Sequence, residues 1–166
     1  SNSTWSPALQ IADQYTITPL IYDEKYIDFI LDYCLSKDIS AIIPLFDIDL
    51  PVLAKNKDTF YDYGIEVVVS DYETTKLCND KYKTYEFLKQ NNINTPESFI
   101  SFEKAIMALE NNLISFPVVV KPRWGAGSIL NYTAVNIAEL EVFYKKIHRE
   151  LPDTYLLYED EEISSH

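Results

Sequence analysis

The sequence predicts an α/β chain, with a parallel sheet in its first half and a smaller α+β lobe in its second. Three observations carry this. Strand-like and helix-like patterns alternate in short units up to residue 70, the rhythm of parallel strands joined by helical crossovers. The rhythm then changes, which places a boundary near residues 70–79 and separates residues 1–75 from residues 76–166. Finally, two of the three glycines, Gly125 and Gly127, sit together in a loop that directly follows a valine-rich strand pattern.

Each element has its own warrant. Residues 26–35 carry apolar side chains at three- and four-residue spacing, the period of an amphipathic helix. Residues 39–45 read as a short buried strand. Asp47 and Asp49, with Pro51, open a second helix running to about residue 63, with a carboxylate cap and an early proline. Gly64 supplies its stop. Residues 65–69, apolar and β-branched, form the next strand. Two strands are few for a doubly wound sheet, so the chain is expected to begin within a domain whose first strands lie upstream.

Residues 72–77 form a short helix and residues 80–91 a longer one, with Asp80 at its N-terminus. Residues 91–96, rich in asparagine and ending in proline, make a turn. A strand near residues 98–100, a helix over 102–110 and a strand over 117–121 follow. After the glycine loop come a strand near residues 129–135, a helix over 138–150 and an acidic tail.

Composition narrows the function. Apolar residues make up 47% of the 166 and charged residues 24%, which fits a folded protein rather than a disordered one. The net charge of −12, from 14 basic and 26 acidic side chains, argues against a nucleic-acid surface. A few converging cations can still hold a nucleotide. No apolar run approaches the length that spans a bilayer, and no leader pattern opens the chain. The cytoplasm is the expected location. Cys34 and Cys78 are too few for a zinc site or disulfide framework and read as ordinary thiols. His148, among Lys145, Lys146 and Arg149, reads as a solvated residue.

The glycine loop carries the chemistry. Glycine lets a backbone approach a ligand closely and aim its N–H groups at it, and Lys121 at the strand end supplies a point charge for phosphate. No Gly-Lys-Ser/Thr follows the glycines and no third glycine opens a helix, so neither a Walker A loop nor a dinucleotide fingerprint is present. A third kind of phosphate loop is the leading reading, and a simple hairpin between two strands is the plain one.

Three stretches together resemble the ATP-grasp superfamily, in its carbamoyl-phosphate-synthase-like branch. They are residues 44–50, residues 79–81 with 87–96, and residues 116–122 with 125–128. The resemblance implies a partial pre-ATP-grasp (Rossmann-like) parallel sheet followed by the first α+β lobe of an ATP-grasp fold. It implies that Lys81 and Lys121 contact ATP phosphates and that the backbone of Gly125, Ala126, Gly127 and Ser128 covers them. Arg123 either joins that contact or covers the loop. Glu159 either ends an adenine hinge strand or belongs to an acidic connection before it.

ATP and Mg2+ are the implied cofactors, with the metal ligands in a second lobe. The implied parent is an ATP-dependent carboxylate–amine or carbamoyl-type ligase that works through an acyl phosphate, and this piece is expected to be inactive alone. A non-catalytic nucleotide-binding or interaction module is the alternative. Leu130 stands where relatives often carry a further glycine, and Trp124 is bulky for a loop that closes over phosphate.

Overall fold

A computed structural model describes residues 4–155. The chain divides into two compact units, Ser1–Thr75 and Lys76–His166. In the first, helix α1 (Tyr26–Ser36) forms on the stripe that spacing predicts. Leu31 and Cys34 are buried, with Ile27 and Ile30 packed beside them, so one face meets the core. Strand β1 (Ala41–Ile42) pairs in parallel with β2 (Glu66–Val67), Ala41 opposite Glu66 and Ile42 opposite Val67. Both strands are shorter than the apolar runs that announced them. Leu53, Phe60, Ile65 and Val67 complete the core.

The expected helix over residues 47–63 is two helices, α2 (Asp49–Lys55) and α3 (Lys57–Tyr61). Asn56 divides them. Its side-chain amide donates to the Val52 carbonyl at 2.8 Å, while its backbone N–H turns to Leu53. The side chain thus competes for the carbonyl four residues back. The expected carboxylate cap is also corrected. Ile48 is the N-cap and makes no side-chain capping bond, while Asp49 lies inside the first turn. Half-buried Asp49 instead faces Tyr26, whose hydroxyl is pushed up to about 12 by burial and then by the Asp49 charge.

Gly64 follows α3 with φ +76°, and its N–H bonds to the Tyr61 carbonyl at 2.9 Å. A Cβ there would meet nothing within 4 Å, so only backbone conformation requires glycine. Gly64→Ala is therefore expected to destabilise by about 1 kcal/mol, the lower end of the left-handed penalty. Urea unfolding followed by circular dichroism checks it.

Helix α4 (Tyr72–Asn79) contains the division between the units. In the second unit, α5 (Lys81–Gln90) is capped by Asp80, whose carboxylate accepts from the N–H groups of Tyr82 and Lys83. Helix α6 (Phe102–Glu110) is capped by Ser101. Strand β3 (Val118–Val120) pairs antiparallel with β4 (Tyr132–Ala134), Val119 opposite Thr133. Helix α7 (Ile137–Tyr155) packs on both strands and on α6.

Ala108, Ala134, Leu140 and Ile147 are buried in this unit. The Tyr132 ring stacks on Phe143 at 4.7 Å, and Phe102 meets Tyr144 at 5.5 Å. The strand expected near residues 98–100 is absent. That stretch has no ladder partner among the described residues and leads directly into the Ser101 cap. No helix among the described residues is long and apolar enough to cross a membrane.

Candidate phosphate-binding site

The site is built where the N-terminus of α5 meets the loop over residues 121–131, which joins β3 to β4. The loop turns through left-handed backbone at Gly125 (φ +105°) and Gly127 (φ +67°), then again at Ser128 (φ +59°) and Leu130 (φ +56°). Glycine takes such angles without penalty. Leu130 occupies the very conformation that the expected family glycine would favour. The N–H groups of Ile129 and Asn131 turn back to the Ala126 and Ser128 carbonyls at 3.4 and 3.3 Å, which closes the far side of the loop. Turns that mix left- and right-handed residues can present successive N–H groups to an anion.

Lys81 fastens the near side. Its backbone N–H donates to the Arg123 carbonyl at 3.1 Å. Its ammonium donates to the Gly125 carbonyl at 2.7 Å and to the Arg123 carbonyl at 3.4 Å. A cation on a helix start and a glycine loop more than forty residues later therefore occupy one place.

Beside them lies a largely buried ion pair. Arg123 Nε donates to both Asp80 oxygens, at 2.8 and 3.0 Å, and its Nη2 lies 2.7 Å from Asp80 Oδ2. Asp80 is 2% exposed. Burial pushes its carboxyl up. The Arg123 guanidinium and the amides of Lys83 and Tyr82 pull it down by more, so it sits below the usual carboxylate range. The guanidinium also lies 4.5 Å from the Trp124 ring and 5.9 Å from that of Tyr82. Trp124 thus stacks on Arg123, and its bulk is used at the root of the loop.

Of the residues singled out in the sequence, Lys81, Arg123 and Gly125 are brought together directly. Lys121 is exposed immediately after β3, and Ala126, Gly127 and Ser128 form the turn beyond Gly125, with Gly127 and Ser128 exposed. Glu159 lies outside the described residues. Sequence reasoning missed Asp80 as a partner of Arg123, although its place beside Lys81 was visible as a cap. The gathered residues also do not form a divalent-cation site. Their one buried carboxylate is already committed to Arg123 and two amides, and no group of three or more potential metal ligands occurs among the described residues.

Comparison with known proteins places this geometry. The PylC-like, N-terminal domain family matches residues 1–68, and the ATP-grasp domain family matches residues 78–154. The ATP-grasp match covers most of the second unit. Lys81, Lys121 and the whole glycine loop fall inside that ATP-grasp segment. The chain is 26% identical over 163 residues to carbamoyl-phosphate synthase of Methanobrevibacter smithii, covering 94% of this chain and 41% of that protein. It is 27% identical over 112 residues to alpha-aminoadipate–LysW ligase LysX of Saccharolobus solfataricus, covering 63% and 38%.

Among solved structures, the biotin carboxylase domain of Hydrogenobacter thermophilus 2-oxoglutarate carboxylase superposes with a TM-score of 0.62 at 22% identity. That match covers 89% of this chain and 33% of that one, whose crystals hold MgADP, ADP and bicarbonate. N5-carboxyaminoimidazole ribonucleotide synthetase of Thermotoga maritima gives 0.56 at 26% identity, covering 85% and 34%. The chain thus spans about two fifths or less of the ATP-grasp proteins it resembles.

Proposed function

We propose that this chain supplies the phosphate-gripping part of an ATP-dependent carboxylate–amine or carbamoyl-type ligase. The observation that carries the reading is the 2.7 Å contact between the Lys81 ammonium and the glycine loop inside an ATP-grasp domain. It joins a cation and the glycine turn at one point. Lys121 enters the same loop from β3, and the turn at Gly125, Ala126, Gly127 and Ser128 lies over the phosphates. Residues 1–75 serve as part of a pre-ATP-grasp domain and residues 76–166 as the first ATP-grasp lobe. The cytoplasm, where ATP is abundant, is the proposed location.

In the reaction, a substrate carboxylate oxygen attacks the γ-phosphorus and ADP leaves, giving an acyl phosphate. An amine or ammonia then attacks the acyl carbon and inorganic phosphate leaves. Phosphoryl transfer of this kind needs chiefly positioning and neutralisation of negative charge. Lysines and loop amides supply that on the phosphate side, while Mg2+ supplies further positive charge when held by the rest of the enzyme. The chain alone is expected to bind nucleotide at best weakly and not to turn over.

Lys121→Ala is the test. Charge-assisted bonds are worth about 1.5–3 kcal/mol, so affinity for MgATP or MgADP should fall by roughly tenfold or more. Calorimetric titration beside the unaltered chain reads it. An affinity that does not move would favour a domain that keeps the fold for contact with another protein.

A further inference from the structure

Arg123 directs two of its three guanidinium nitrogens at a carboxylate. Its guanidinium spends Nε and Nη2 on Asp80, and its face rests against Trp124. Asp80 Oδ1 also accepts the N–H groups of Tyr82 and Lys83, so the carboxylate is a fixed point at the start of α5. Two residues beyond Arg123, the Gly125 carbonyl lands on the Lys81 ammonium. The Lys81 backbone adds a parallel link to the Arg123 carbonyl. Four adjacent contacts therefore join residues 80–81 to residues 123–125, and one of them is a buried fork between opposite charges. Such forks fix geometry as well as contributing energy.

We infer that Asp80 and Arg123 are positioning residues, a strap that pins the root of the glycine loop to the start of α5 and so sets the loop's height over Lys81. The strap deepens the nucleotide-binding reading and rests on it for its function, although its effect on the loop stands independently. Neither residue touches phosphate. Loosening the pair lets the loop lift while both lysines remain.

The test uses the full chain with Trp5→Phe, so that Trp124 alone reports on the loop. Asp80→Asn keeps a side-chain oxygen able to cap α5 but removes the charge. Arg123→Gln removes the other half, and Arg123→Lys keeps charge without the fork. Helix content from circular dichroism confirms that each variant folds. Without nucleotide, each loss-of-charge variant should speed amide exchange over residues 123–131 by about tenfold and shift Trp124 emission to the red.

MgADP affinity should fall about fivefold, Arg123→Lys should recover part of each loss, and the double variant should be no worse than the stronger single one. Unchanged exchange in both single variants, or effects that simply multiply in the double, would overturn the strap. Altered exchange with no MgADP binding by the unaltered chain upholds the strap and removes the nucleotide reading instead. Normal exchange with weakened MgADP binding in Arg123→Gln alone overturns the strap and returns Arg123 to the phosphates.

Discussion

Asp80→Ala is expected to destabilise the second unit by about 3 kcal/mol, combining the loss of a cap with the breaking of a largely buried ion pair. The cap contributes about 1 kcal/mol of this. Removing one partner of a fully buried pair costs roughly 3–5 kcal/mol, but the Arg123 side chain is 21% exposed and can regain water, which lowers the figure. Trp124 fluorescence in a urea titration reports it.

The acid dependence has a definite sign. The folded Asp80 carboxyl lies below its ordinary value, with burial opposing the shift and Arg123 and the amides of Lys83 and Tyr82 outweighing it. Its stabilisation is complete above the unfolded aspartate value of about 3.9 and fades as pH falls through the lower folded value. The gap between Asp80→Ala and the unaltered chain should therefore be constant near neutrality and narrow below about pH 4. A gap that persists unchanged to lower pH would remove the ionised pair from the explanation.

Phe60→Ala is expected to cost about 4 kcal/mol, near the middle of the range for aromatic truncation in a core. Phe60 is 0% exposed and packs among Leu31, Cys34, Leu53, Ile65 and Val67. Its carbonyl accepts the Ile65 N–H at 3.0 Å, so the same residue also fixes the turn into β2. Among the described residues, the sheet beside it has two short strands to close the gap. Exchange of the Ile65 and Val67 amides measures the effect. A loss below about 1 kcal/mol would mean that this core collapses around the void.

What the sequence made legible was mostly local. The stripe at residues 27, 30, 31 and 34, the Gly64 stop and the start of α5 each depend on neighbours within a turn or two, and each formed as read. The break at Asn56 was not legible, because a side-chain amide had to win a carbonyl from the backbone. Residues 98–100 have strand-like composition, but a strand also needs a partner, which spacing does not provide.

At the site, the order of motifs drew attention to Lys81 and the glycines. The Asp80–Arg123 pair spans 43 residues and follows from the fold, so no pattern along the chain announced it. Leu130 looked like a departure from the family. Its backbone nevertheless takes the left-handed conformation that a glycine there would favour.

The Lys81 ammonium already has an oxygen at 2.7 Å, the carbonyl of Gly125. Under the proposed function, an arriving polyphosphate would replace that carbonyl, so this lysine would contribute only the difference between a neutral dipole and a full negative charge. Much of its solvation penalty has been met in advance by the loop. Affinity gained this way would be modest, yet the anion would find its cation already aimed and partly desolvated.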